Sequence, residues 1–181
     1  VRIARQIRAL EAEVASWIST GRPQSVLLVS PPGYGKTTLL REWVRQVSGQ
    51  GRTVAVADER GEIAALSGGV PQFDIGGCTD VLEGCPKKQA ALMLLKTMSP
   101  ELIAFDEITA PEDVEAVSLC AHCGTAVLAS AHAADVDDLC RRPLYRALLA
   151  LQVFDCAVVI EKQDGQRVYR KKGLEDIACS N

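Results

Sequence analysis

Between Ser30 and Thr37 the chain reads SPPGYGKT, with a lysine and a threonine directly after a glycine. The segment fits the phosphate-loop pattern GxxxxGK[ST] everywhere except its first position, where serine stands for glycine. Glycine accepts the turns that aim backbone amides at an anion, and the amino end of a following helix adds partial positive charge. Pro32, Gly33, Tyr34, Gly35, Lys36, Thr37 and Thr38 are therefore candidate nucleotide-binding residues. Lys36 would span the β- and γ-phosphates and Thr37 would coordinate magnesium. A plain glycine-rich turn would not require lysine and threonine at those places. The guanine-reading sequence NKxD does not occur, which favours ATP over GTP.

A second constellation lies at LIAFDE, residues 102–107. Four apolar residues place this segment inside a sheet, so that Asp106 emerges at its end to hold magnesium and Glu107 follows to orient or deprotonate a water. A pair that merely caps the next loop is the structural alternative. Two more segments bring polar residues to the same carboxyl rim of a parallel sheet, where ligands bind. VADERGE supplies Asp58, Glu59, Arg60 and Glu62, and LASAH supplies Ser130 and His132. Glu59 is a candidate near the nucleotide or its water, Arg60 a phosphate or subunit contact, and His132 a sensor of the γ-phosphate. The plainer role for His132 is a bond to a neighbouring loop.

The elements that must position these residues alternate. Residues 2–18 place Ile3, Ile7, Leu10, Val14 and Trp17 at helical spacing, predicting an amphipathic helix before a linker, with 1–24 as one unit and 25–181 as the main domain. The strand SVLLVS leads into the glycine loop and a helix from about Lys36 to Ser48, and TVAVADE is a second strand suited to a sheet covered on both faces. From Arg60 to Pro86 no period holds and mostly loop is expected, a length that usually serves a function. KKQAALMLLKTMS predicts a helix, ELIAFDE a strand, 111–123 a helix, 125–132 a strand, and about Val136 to Leu151 a helical stretch broken at Pro143. Around QDGQ the chain alternates as a hairpin. Strands separated by helices, then an antiparallel end, predict a three-layer α/β domain with a mainly parallel sheet.

At 181 residues the chain can bury one real core. Its net charge of -3 and 4% aromatic content give no footprint for nucleic acid, so none is expected as a partner. No apolar run approaches the roughly 20 residues that cross a bilayer, so a soluble domain is expected. The chain starts at valine, which raises the expectation of an upstream domain or anchor. Seven cysteines, an odd number, suit a reducing compartment. Cys120 and Cys123 have the spacing of a redox pair or half a zinc site, but no second such pair lies near, and the segment reads as a helix ending at Gly124.

Taken in order, SPPGYGKTTLLRE, ADERGEIA, DIGGCTDVLEGCPK, MLLKTMSPELIAFDEI, PEDVEAV and ASAHA resemble the stage III sporulation protein AA family across about 26–160. The resemblance implies a RecA-like P-loop NTPase core of the type II and type IV secretion-motor type. It implies an ATPase using ATP and Mg2+ in a sporulation channel between mother cell and forespore. It would be cytoplasmic in the mother cell and peripheral at the outer forespore membrane, with membrane proteins of its operon as partners. A probable six-subunit ring is implied for the whole protein, while the fragment alone is compatible with a monomer. By position, Lys36 and Thr37 match the Walker A residues, Asp106 and Glu107 the Walker B pair, 58–62 the acidic segment and His132 the histidine box.

Departures concern arginine. Where the family has an arginine soon after DEIG, this chain reads DEITAPED, and Cys78 stands where RTDVL would be typical. Tyr34 takes a place often filled by cysteine. A ring ATPase needs a cation from a neighbour; Arg141, Arg142 and Arg52 are candidates, together with Arg60, while Arg41 would brace the loop from its own subunit. Two other readings compete: a nucleotide-gated assembly scaffold with little turnover, and a nucleic-acid-dependent ATPase.

Overall fold

The computed structural model describes residues 12–18 and 21–174. The predicted N-terminal helix is therefore seen only over 12–17, and its earlier residues lie outside the described ones. The first strand, β1 (Val26–Val29), enters the glycine loop and is followed by helix α1 (Lys36–Gly49) and strand β2 (Val54–Asp58). Two short strands, β3 (Leu66–Ser67) and β4 (Val70–Pro71), make a small antiparallel pair, and β5 (Thr79–Glu83) returns to the main sheet. Then come α2 (Lys87–Met98), β6 (Leu102–Glu107), α3 (Pro111–His122) and β7 (Ala126–Ala131). Helices α4 (Val136–Arg141) and α5 (Pro143–Ala150) precede the hairpin β8 (Cys156–Gln163) and β9 (Gln166–Gly173).

The sheet order is β5-β2-β6-β7-β1-β8-β9, parallel throughout except for β9. Alternation along the strands sorts side chains into two cores. Leu27, Val29, Ala55, Ala57, Ile103 and Phe105 meet Ala90, Ala91 and Leu94 of α2, Val117 of α3 and Leu148 of α5. Val26, Leu28, Val54, Val56 and Leu102 meet Leu39, Leu40, Trp43, Val44 and Val47 of α1, with Val14 and Trp17 on the same side. Because both faces are covered, the central strands must be apolar nearly throughout, which explains their unbroken Val, Ile, Leu and Ala runs.

The segment from Arg60 to Pro86 is mostly loop, as expected, but it also carries strands. It contains β5, an edge strand paired to β2 from Val54↔Thr79 to Asp58↔Glu83. TDVLE is half-exposed and carries two acidic residues, as suits an edge, so it gives no core-strand signal. The chain is folded back onto β2 by Asp58, which is fully buried and accepts the amides of Glu62 (2.9 Å), Ile63 (3.0 Å) and Ala64 (2.9 Å). Arg41 on α1 completes the bend by donating to the carbonyls of Ile63 (2.8 Å) and Glu62 (2.9 Å), with its guanidinium 3.6 Å from the centroid of Phe73.

Strand β6 carries the other irregularity. Its register against β7 shifts between Ala104 and Glu107, so the break falls at the acidic end and lets that end leave the regular pleat.

Removing the Asp58 carboxylate would strand two buried amides and a part-buried one. Asp58→Ala is expected to destabilise the fold by about 2–3 kcal/mol, seen as a melting temperature lower by roughly 5–10 °C in a thermal scan.

Candidate nucleotide site

All the parallel strands end on one rim, and a cleft of about 400 Å³ opens there beside β1. It is lined by the loop residues Pro32, Gly33, Gly35, Lys36, Thr37 and Thr38, and by Arg60, Asp106, Glu107, Ser130, His132 and Arg167. Gly33 (φ 76°) and Gly35 (φ 96°) adopt left-handed conformations that side chains with a Cβ disfavour. Tyr34 between them lies outside the lining. The Lys36 ammonium is buried and donates to the Ser30 carbonyl (2.8 Å) and the Pro31 carbonyl (3.2 Å). Burial lowers its pKa to about 8, against a smaller opposing pull from Glu107. Short of negative charge, this lysine gains from an incoming phosphate.

Glu107 meets His132 across the rim, with Oε1 2.5 Å from Nδ1. A carboxylate only accepts, so Nδ1 carries the proton of that bond. Burial, then the Lys36 charge, hold the His132 pKa below its ordinary value, despite Glu107. The pair is thus a neutral imidazole donating to a carboxylate. The His132 amide donates to the Tyr145 hydroxyl (3.0 Å), which in turn donates to the Ile108 carbonyl (3.2 Å), linking the ends of β6 and β7 to α5.

Asp106 is buried, and burial raises its pKa above the usual carboxylate range against the pull of Lys87. Its Oδ1 lies 2.9 Å from the Lys87 ammonium, and among the described residues no other donor reaches the carboxylate. A buried carboxylate so left, lining the same cleft as Thr37, suits a hard divalent ion bound through oxygen and water. Lys87 itself contacts Glu59 (2.6 Å) and lies 3.7 Å from Asp113. Burial depresses its pKa, but the Glu59 and Asp106 contacts and the Asp113 charge outweigh this and raise it. Asp113 also accepts the amides of Thr109 (2.8 Å) and Ala110 (3.1 Å) at the start of α3.

The other expected residues are dispersed. Glu59 turns to Lys87 and is not among the cleft-lining residues. Arg60 is exposed on the cleft wall. Arg41 is committed within its own chain to the bend after β2. Arg52 sits before β2, at the opposite edge of the sheet, bonded to Glu101 (2.7 Å) and to the Gly21 carbonyl (2.9 Å). Arg142 pairs with Asp138 (2.9 Å) between α4 and α5, and Arg141 ends α4 beside it. Cys120 is buried in the core with its pKa pushed up to about 12 by burial, while Cys123 is exposed at the helix end. Among the described residues no His, Cys, Asp and Glu cluster of metal-ligating size is found.

Sequence reasoning missed Lys87, Tyr145 and Arg167. The lysine opens a helix that otherwise reads as routine, and Arg167 sits in a hairpin far along the chain. A tyrosine on the buried side of α5 did carry a signal, because a buried hydroxyl needs a partner.

Loss of the Lys87 ammonium would leave Asp106 and Asp113 buried without their cation. Lys87→Met is expected to cost about 3 kcal/mol, read as a lower urea midpoint at unchanged slope. The deficit should narrow as pH falls, because carboxylates without a cation take up protons more readily.

Known proteins resemble this chain in sequence and in fold. The family model described as "Sporulation stage III, protein AA" matches residues 1–175. Stage III sporulation protein AA of Bacillus subtilis (strain 168) is 34% identical over 96% of this chain, which spans 59% of that protein. Protein SEEDLING PLASTID DEVELOPMENT 1 of Arabidopsis thaliana is 31% identical over 69% of this chain and 19% of its own length. Among solved structures, the Legionella pneumophila ATPase DotB superposes with a TM-score of 0.64 at 17% identity, covering 91% of this chain and 49% of that one. The VirB11 ATPase of the Brucella suis type IV secretion system, in complex with sulphate, gives 0.62 at 16% identity, covering 95% and 52%. The fold is thus that of the secretion ATPases, and the chain belongs to the sporulation stage III protein AA family.

Proposed function

We propose that this domain is the catalytic part of a magnesium-dependent ATPase motor, which spends ATP to assemble or energise the channel between mother cell and forespore. The observation that carries this reading is the convergence on one cleft of a buried Lys36 ammonium bonded to neutral oxygens, a buried Asp106 whose cationic partner is Lys87, and the Glu107–His132 pair. The names of the relatives support it, since the family is one of sporulation and the solved neighbours are ATPases, one of them of a type IV secretion system.

In this reading the amides of Gly33 to Thr38 wrap the β-phosphate, and Lys36 leaves the Ser30 and Pro31 carbonyls for the phosphate oxygens. Magnesium, held by Thr37 and by Asp106 through water, would neutralise charge on the β- and γ-phosphates. Glu107 orients the attacking water and accepts its proton, while His132 fixes the Glu107 carboxylate and feels the γ-phosphate. Tyr145 ties the His132 backbone to α5, so a shift at the γ-phosphate reaches the segment that carries Arg141 and Arg142. These arginines, or Arg60, supply the cation to a neighbouring subunit in a hexameric ring. The complete protein is placed in the mother-cell cytoplasm, peripheral to the outer forespore membrane, with membrane proteins of its operon as partners. Among the described residues no helix is long and apolar enough to cross a membrane.

Glu107→Gln in the full-length protein should lower ATP hydrolysis at least 100-fold while ATP affinity changes by less than about threefold. The wild-type specific rate should climb with protein concentration as sites are completed between subunits. A flat background rate despite tight ATP binding would contradict the motor and favour the scaffold.

Lys36 also sets a pH dependence. Its empty-site pKa is about 8, and phosphate raises it, so nucleotide binding near pH 8 takes up a proton. Calorimetry in buffers of different ionisation enthalpy should show that uptake, and affinity should decline as pH rises through 8. For stability the sign is opposite. The unfolded lysine keeps its proton up to about 10.5, so the cost of burying the charged form is relieved as pH rises from 8 toward that value.

A further inference from the structure

The C-terminal hairpin carries two cations to the phosphate loop. Lys162 and Arg167 stand directly opposite one another in the β8–β9 ladder, and like charges so placed weaken a strand pair. Both nevertheless reach toward the loop. The Lys162 ammonium lies 4.4 Å from the centroid of the Tyr34 ring. The Arg167 guanidinium is packed against Gly35 so closely that a Cβ there would meet its Cζ at 2.8 Å and its Nε and Nη1 at 3.1 Å. A side chain at position 35 would therefore push the guanidinium away from the loop, besides straining the left-handed turn.

Among the described residues neither cation has a carboxylate within ion-pair distance. Glu161, on the same hairpin, is taken by Arg170 at 3.1 Å, and the Arg167 charge acts on the hydroxyl of Tyr169. Arg167 is exposed and lines the same cleft as Lys36, Thr37 and Thr38. Two adjacent cations, without a carboxylate between them and aimed at a phosphate loop, make an anion site.

The sheet order says which part of the anion it meets. β1 lies between β7 and β8, so the hairpin approaches the loop from the side opposite Asp106, Glu107 and His132. The carboxylate side is where γ-phosphate chemistry belongs, leaving the earlier phosphates to the hairpin. We propose that Arg167, with Lys162 beside it on the Tyr34 ring, binds the diphosphate shared by ADP and ATP, so that the C-terminal hairpin grips the nucleotide from within its own subunit. The proposal rests on the nucleotide-site reading above and adds a binding side chain to it. A bound diphosphate also removes the like-charge cost between the two strands.

The test is titration of Mg·ADP and Mg·ATP into full-length wild-type protein and the variants Arg167→Ala, Arg167→Lys and Lys162→Ala. Arg167→Ala should weaken both nucleotides equally, by about tenfold or more, and raise KM at unchanged kcat because the contact is the same in ground and transition states. Arg167→Lys should recover part of the loss, and Lys162→Ala should lose about threefold. The melting temperature of the nucleotide-free Arg167→Ala protein should not fall, which separates a binding role from a structural role beside Tyr169. Unchanged affinity in Arg167→Ala, or a loss confined to ATP, overturns the proposal while wild-type binding leaves the site reading standing. A wild type that binds neither nucleotide overturns both.

Discussion

A single buried ammonium faces three carboxylates at the heart of this domain. Lys87 reaches Glu59, Asp106 and Asp113, which belong to the bend after β2, the end of β6 and the start of α3. Asp106 and Asp113 are buried and share this one cation with the exposed Glu59; Asp113 also accepts two backbone amides, whereas among the described residues Asp106 has Lys87 alone, and burial raises its pKa. The opposite imbalance lies across the cleft, where burial lowers the Lys36 pKa to about 8 and its ammonium is bonded to neutral carbonyls. The cleft therefore brings together a carboxylate that a second cation would relieve and a lysine that an anion would relieve. A metal-bound polyphosphate answers both needs at once.

The rest of the fold keeps those two deficits apart and facing. Parallel strands buried on both faces fix the rim, and the irregularity in β6 presents Asp106 and Glu107 as neighbours with different duties, one against Lys87 and one against His132. Asp58 and Arg41, which sit at the same rim, spend their hydrogen bonds on backbone and so hold the chain that carries Glu59 and Arg60. Tyr145 adds a mechanical link, because a movement of His132 is felt by α5 through one hydroxyl.

Much of this was legible in the sequence because the chemistry was local. The loop SPPGYGKT and the strand end DE carry their roles in consecutive residues, and the helices and central strands follow from unbroken apolar patterning. What escaped was of two physical kinds. Strand β5 escaped because an edge strand is partly wet and reads as loop. Lys87 and Arg167 escaped because a lysine among helical residues, or an arginine in a hairpin, acquires meaning only when folding brings it to a distant carboxylate or glycine. Glu59 shows the same limit from the other side, since its rim position was legible but its partner was not.

The central claim is that opposed charge deficits make this cleft a site for a metal-bound polyphosphate. The most direct measurement is calorimetric titration of ADP into the full-length protein with and without Mg2+, repeated on Asp106→Asn. The account predicts that Mg2+ tightens wild-type binding at least tenfold, and that Asp106→Asn loses this gain while still binding metal-free ADP. Equal affinity with and without Mg2+, or a gain that survives Asp106→Asn, would contradict it.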